Sequence, residues 1–222
     1  MKNNQGFKNE ALEALRGNWA PAVAGAIVFI LLMCLIIAPS WCANMVAFGQ
    51  FTLPAGLLKV FTWIGLPLNI IFHYPLIFGT SVSYYNLFMG DSDVTSNLFR
   101  NTFSGYPRML LGSFLVYLFT ILWSLLLIVP GIVKGLAYAM TPFILKDFPE
   151  LSPNQAINLS VKMMKGHKFD YFWLNLSFAG WYILSMFTLA IGFVWLLPYV
   201  QTATAAFYQE VKNEYINNNT NL

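Results

Sequence analysis

The sequence predicts an all-α, polytopic membrane protein with about six transmembrane helices and amphipathic helices on its cytoplasmic side. Three observations point there. Hydrophobic residues fill 58% of the 222 positions and charged residues only 9%, against roughly 25% charge in a soluble domain. The apolar residues gather into runs of about 20, the length a helix needs to cross roughly 30 Å of hydrocarbon. Lys and Arg fall almost wholly on one side of those runs, the asymmetry that sets orientation during insertion.

Cut at polar clusters, Gly and Pro, the runs give spans at 20–38, 66–89, 108–129, 131–147, 170–190 and 193–210. Residues 1–19 are a cytoplasmic amphipathic segment, 20–213 a single six-span domain, and 214–222 a polar tail. Lys2, Lys8 and Arg16 ahead of an apolar stretch imitate a secretory signal, but the run from Ala20 to Ile37 exceeds a signal core, so it reads as a retained first helix. The charge-poor stretch Ser40 to Gly65 either lies along the outer surface, with Lys59 reaching water, or extends the second span. Pro67, Pro75 and Pro142 should bend or interrupt their helices, since proline lacks an N–H and crowds the preceding turn.

With a cytoplasmic amino terminus, ten of the 12 Lys and Arg lie inside: Lys2, Lys8, Arg16, Arg100, Arg108, Lys146, Lys162, Lys165, Lys168 and Lys212. Only Lys59 and Lys134 are left outside. Both termini are therefore expected in the cytoplasm. Trp19 and Trp173 fall at the inner interface and Trp41, Trp63, Trp123 and Trp195 at the outer one, where amphipathic rings settle.

Three inner stretches, 5–16, 93–104 and 153–165, precede the odd spans and mix apolar and polar residues at helical spacing, as in Phe7, Ala11, Leu12 and Leu15. Each ends at a glycine, Gly17, Gly105 or Gly166, suited to a left-handed cap. Each even span carries an outer proline, Pro75, Pro130 or Pro198, and the segments Pro75 to Tyr85 and Pro198 to Tyr208 keep the same offsets of small and aromatic residues. The pattern reads as a degenerate threefold repeat of surface helix, span, span, with the middle copy matching least.

Gly79 and Ser83, Gly131 and Gly135, and Thr202 and Ala206 place small residues four apart on the even spans, as close helix packing in lipid requires. They suit either ordinary packing within one bundle or a central or oligomeric interface. His73 is the ionisable residue set deepest in a span, one turn from Asn69, and with Lys134 these form the candidate intramembrane polar site. For Lys134 the plainer reading is snorkelling to water. Lys162, Lys165 and Lys168, in a segment whose helix starts at Ser152-Pro153, are candidate contacts for lipid headgroups.

Gly79-Thr80-Ser81 imitates an intramembrane protease nucleophile, but His73 is eight residues off on the same helix, about 12 Å along its axis. That is beyond hydrogen-bond reach. The sequence has no phosphate-binding G-x-x-x-x-G-K-S/T, no G-x-G-x-x-G and no H-E-x-x-H. Cys34 and Cys42 form no C-x-x-C pair and suggest neither a disulfide framework nor a metal site. No catalytic residue, cofactor or metal is expected, and the scattered basic residues argue against nucleic acid.

From Pro130 onward the chain resembles a bacterial family of integral membrane proteins known as domain of unknown function 975. The resemblance rests on Pro130-Gly-Ile-Val-Lys134, Tyr138-Ala-Met140, Ile144-Leu-Lys-Asp147, Ala156-Ile157, Ser160, Met163-Met-Lys-Gly-His-Lys168, Leu176-Ser-Phe-Ala-Gly-Trp181, Ile191-Gly192, Pro198-Tyr199 and Phe207-Tyr208. Leu15-Arg-Gly-Asn-Trp19 is a weaker echo, and Ala190 stands where the family suggests glycine. The resemblance implies a bacterial inner membrane and carries over no reaction or site residue. The preferred reading is a non-catalytic inner-membrane protein with an assembly, scaffolding or lipid-organising role. Its expected partners are the lipid bilayer and a second copy or another membrane protein. The alternative is a small-molecule transporter or channel lined by His73, Asn69, Thr80, Ser81, Gln201 and Thr202.

Overall fold

A computed structural model describes residues 2–50, 52–188 and 191–220. Among them the chain is all helical: α1 (Asn4–Leu15), α2 (Trp19–Ala47), α3 (Ala55–Leu68), α4 (Tyr74–Phe88), α5 (Val94–Phe103), α6 (Tyr106–Leu126), α7 (Ile128–Tyr138), α8 (Thr141–Asp147), α9 (Pro153–Met163), α10 (Lys168–Leu176), α11 (Ala179–Phe187) and α12 (Phe193–Thr220). Four helical runs are long and apolar enough to cross a membrane: Trp19–Ala47, Ala55–Phe88, Tyr106–Leu126 and Ile128–Asp147. The chain is thus built as a membrane protein. The end of the predicted fifth span at 189–190, with Ala190, and the last two residues of the tail lie outside the described residues.

The first two predicted spans are each longer than their apolar runs suggest, while the third, α6, keeps its expected length at 21 residues. α2 has 29 residues, about 43 Å at 1.5 Å per residue. The stretch from Ser40 to Gly65 does not lie flat: α3 joins α4 through a π-helical turn at Asn69–His73, giving one run of 34 residues. This run packs along α2 as a hairpin. The fifth predicted span is two helices of 9 residues each, neither able to cross alone at about 13 Å apiece. They part at Ser177–Phe178, where Phe178 is buried and Lys8 of α1 donates to the Ser177 carbonyl at 3.0 Å. α12 reaches 28 residues, but Gln201, Thr202, Thr204, Gln209 and Glu210 dilute its apolar character.

The short helices have clear local causes. Asn3 caps α1 by accepting from the Gly6 amide, Asp93 caps α5 by accepting from Ser96, and Ser152 with Gln155 forms a capping box at α9. Gly17, Gly105 and Gly166 follow these helices at φ of 82°, 69° and 95°, a region costly for any residue with a Cβ. α1 buries Phe7, Ala11 and Leu15, spaced four apart, and sets Phe7 against Phe207 of α12 with ring centres 5.3 Å apart. α4 lies at the centre, against α5, α6, α8 and α12.

Two prolines, Pro75 and Pro142, leave carbonyls that hydroxyls serve. In an α-helical ladder Pro75 would donate to the Ile71 carbonyl and Pro142 to Tyr138, but proline has no N–H. The Tyr106 hydroxyl of α6 donates to Ile71 instead, and Thr141 donates to Tyr138 at 2.7 Å. A carbonyl left bare in hydrocarbon would cost several kcal/mol, about 1–3 in protein mutational terms. Tyr106→Phe is therefore expected to lower the unfolding free energy by about 1–3 kcal/mol in detergent melts. In a Pro75→Ala background, which returns the missing N–H, the same change should cost well under half as much. Equal costs in both backgrounds would show that Tyr106 does not serve that carbonyl.

Candidate functional site

The charged side chains gather at one end of the bundle, and their centre is Asp147 at the last position of α8. Its Oδ2 accepts from the Tyr85 hydroxyl of α4 at 2.9 Å, the Tyr208 hydroxyl of α12 at 3.0 Å and the Lys212 ammonium of α12 at 2.6 Å. The Asp147 and Lys212 side chains are 12% and 19% exposed, so this pair is largely withdrawn from water. Beneath it the rings of Tyr85, Phe143 and Tyr208 pack mutually, with centres 5.7, 5.4 and 4.9 Å apart. Three helices, α4, α8 and α12, are thereby closed over one carboxylate and three rings.

Lys146, the preceding residue, takes a different direction and sets its ammonium 4.4 Å from the Tyr85 ring centre. It lines a cavity of about 370 Å³ with Arg100, Asn101, Ser104 and Gly105 of the α5–α6 junction and Arg108 of α6, walled by Val82, Met109, Leu145 and Pro149. Arg108 is fixed by backbone: Nε and one terminal nitrogen both reach the Leu151 carbonyl, at 3.0 and 2.6 Å, and the terminal nitrogens also reach Phe148 at 2.7 Å and Leu145 at 2.8 Å. The Leu145 carbonyl lies in the last turn of α8, which cannot satisfy it because Pro149 has no N–H, whereas the Phe148 carbonyl also accepts from the Leu151 amide at 3.1 Å. Arg100 bonds the Asn97 side chain and stands 3.6 Å from Asp91. The neighbouring Asn97 amide group, the Asp93 N–H that donates to Oδ1 at 3.2 Å, and Arg100 hold the Asp91 carboxyl below the usual range, so it remains anionic at neutral pH.

The same end holds α1 and the tail of α12 together. Lys2 bridges Glu10 at 2.6 Å and Glu210 at 3.4 Å, and these contacts raise its pKa above the ordinary lysine value. His167 lies 3.3 Å from Glu214 and 3.8 Å from Asp170. Burial lowers the Lys8 pKa.

The predicted intramembrane polar site does not assemble as a unit. Asn69 donates to the Ser40 hydroxyl at 3.0 Å and the Gly65 carbonyl at 2.7 Å inside the α2–α3 hairpin. His73 sits in the π-helical turn with its ring 5.0 Å from Tyr74, and its Nδ1 is buried without a hydrogen-bond partner among the described residues. Lys134 belongs to the α6–α7 hairpin, 4.6 Å over the Trp123 ring.

The small residues face their nearest chain neighbours. A Cβ on Gly79 would run into Thr102 of α5, and one on Gly131 into Ser124 of α6. Gly135 lies opposite Thr120 at 3.7 Å. Ser83 donates to Gly79 and accepts from Asn101, while Thr202, bonded to the Pro198 carbonyl, and Ala206 are buried. Lys162 and Lys165 are exposed and Lys168 half-buried, at and just past the end of α9. In sequence Arg108 counts as one inner cation, and Asp147 is met only within Ile144-Leu-Lys-Asp147. The available signal is an acid that, after Lys146, closes the short apolar run 142–145, with a lysine one turn beyond Tyr208 to answer it.

Removing the acid strands the Lys212 ammonium and the Tyr208 hydroxyl, while the Tyr85 hydroxyl keeps Gln209 Oε1 at 3.2 Å. Asp147→Ala is expected to cost about 3–5 kcal/mol of stability, and Asp147→Ala with Lys212→Met clearly less than Asp147→Ala alone. Thermal unfolding of the four chains of this cycle measures the coupling, and a double variant costing the full sum would show none.

Residues 66–215 match the sequence profile of the family described as Protein of unknown function (DUF975). No curated protein and no solved structure matches the chain.

Proposed function

We propose, starting from a chain that belongs to the DUF975 family of proteins of unknown function, that it is a non-catalytic membrane component with an assembly, scaffolding or lipid-organising role. The observation that carries this reading is the closure of the junction of α4, α8 and α12. Where α4, α8 and α12 converge, the space is filled by the Tyr85, Phe143 and Tyr208 rings and sealed by the Asp147 contacts. Hydroxyls that a transport route would draw on are bonded to their own helices: Thr80 to Leu76, Ser81 to Ile77 and Thr202 to Pro198. Lys212 is likewise held in a contact between helices.

The reading takes six spans, with α10 and α11 together forming the fifth and α12 the sixth. It places both termini in the cytoplasm of a bacterial inner membrane, with the Asp147 end inward. Its support is the charge bias together with the grouping of Lys2, Arg108, Lys146 and Lys212 contacts at one end. The threefold repeat of short helix, glycine and two spans draws support from the left-handed Gly17, Gly105 and Gly166. Tyr85 and Tyr208, each ten residues after a proline, also meet edge to face at 5.4 Å. One observation favours the transporter alternative, the buried His73 Nδ1 in a π-helical turn, without a hydrogen-bond partner among the described residues.

Native mass spectrometry after lipid-preserving extraction separates the two. The expected result is the chain with lipid, in company with its own copies or another membrane protein, and no soluble molecule in fixed ratio. A stoichiometric small molecule that His73→Ala releases would replace this reading with transport.

A further inference from the structure

The geometry points to the cavity between α5, α6 and α8 as a binding site for a phosphate-bearing anion, held by Arg100, Arg108 and Lys146. This rests on the lipid-organising reading above and gives it a place. Three cations from three elements line one cavity of about 370 Å³, where a single surface lysine would mean little. Arg108 is positioned before any ligand arrives. Its hydrogen bonds go to the carbonyls of Leu145, Phe148 and Leu151, which orient the guanidinium without cancelling its charge. A fixed cation loses little freedom when an anion binds.

Carboxylates near the cavity leave it positive. Asp147 is committed to Lys212, Tyr85 and Tyr208, and Lys146 rests over the Tyr85 ring. Asp91 pairs with Arg100 at 3.6 Å across a contact in which both side chains are about half or more exposed, an arrangement worth little and readily exchanged for a better partner. Asn101 and Ser104 add neutral polar groups to the lining, and Gly105, at φ 69°, opens α6 there with a left-handed turn.

A headgroup is favoured over a free ion by the surroundings. Val82, Met109 and Leu145 give the cavity an apolar wall, and the neighbouring face of α6 carries an apolar groove of Pro107, Leu110, Leu111 and Phe114 with Ile70. A phosphate in the cavity thus has hydrocarbon surface beside it for a lipid tail. Basic pockets between membrane helices bind anionic headgroups through this combination.

The test uses the full chain in neutral detergent, titrated with phosphatidylglycerol, phosphatidylcholine or inorganic phosphate and read by native mass spectrometry. Phosphatidylglycerol is expected to bind in preference to phosphatidylcholine. Arg100→Gln should weaken it about fivefold, and Arg100→Gln with Lys146→Gln about 25-fold. Asp91→Asn, which removes the competitor for Arg100, should tighten it, a direction that loss of structure would not produce. Arg100 is exposed, so its single variant keeps the test open if the double variant misfolds. Retention of phosphatidylglycerol against excess inorganic phosphate identifies a lipid headgroup. Displacement by phosphate, with the same dependence on Arg100 and Asp91, identifies a free phosphate group, and either result upholds the site. Wild-type preference in Arg100→Gln and Lys146→Gln overturns it. If Lys162→Gln, Lys165→Gln and Lys168→Gln together abolish the preference instead, the cavity is wrong and the lipid-organising reading stands. No lipid preference and no phosphate binding would sink both.

Discussion

A single carboxylate determines how the charged end of this bundle is built. An ionised acid moved out of water is costly unless it is paired and hydrogen bonded. Asp147 meets both conditions, with the Lys212 ammonium at 2.6 Å and two tyrosine hydroxyls near 3 Å. Its partners come from α4 and α12, so the three helices can satisfy it only in one mutual arrangement. A buried polar cluster adds little net stability over an apolar one, and its strength is that misaligned alternatives leave a bare charge. The three packed rings below it are apolar and tolerant; the carboxylate above them is not.

The apolar solvent imposes a second discipline, on carbonyls. In hydrocarbon no water arrives to satisfy a backbone group. Tyr106 serves Ile71, Thr141 serves Tyr138, Lys8 serves Ser177, and Arg108 serves three carbonyls around the end of α8. Each marks a place where a proline or a helix end has broken the ladder. Several of these interruptions are thus matched by a side chain distant in sequence, up to 169 positions away, and that at Pro142 by its neighbour Thr141.

This explains what the sequence made legible. Apolar runs, glycine caps and the charge bias are local, so the first span, the short helices after Asn3, Asp93 and Ser152, and the left-handed glycines could be read directly. Satisfaction of a polar group is not local. The break at Ser177–Phe178 lies in a run whose hydropathy continues through it, and it is stabilised from α1. The Asp147 cluster joins positions 85, 147, 208 and 212, and Arg108 looked like one more inner charge because its partners are main-chain atoms without a signature. His73, Asn69 and Lys134 share polarity and depth, yet Asn69 and His73 lie in one π-helical turn beside α2 and α6 while Lys134 belongs to the α6–α7 hairpin, and polarity alone does not say which helices meet.

In the proposed threefold reading the site falls where the repeat is weakest. The outer copies contribute equivalent tyrosines, Tyr85 and Tyr208, which meet as related positions should near an axis. The middle copy offers no third tyrosine there; it supplies Phe143, Asp147 and Lys146. Adjacent residues on a helix point about 100° apart, so Asp147 turns to α12 while Lys146 turns to the cavity shared with Arg100 and Arg108. A symmetric bundle would repeat one environment three times and keep its charges balanced in each. Departure of the middle copy spends the acid on Lys212 and leaves the neighbouring cations together on one flank, which makes a directional binding surface out of a packing motif.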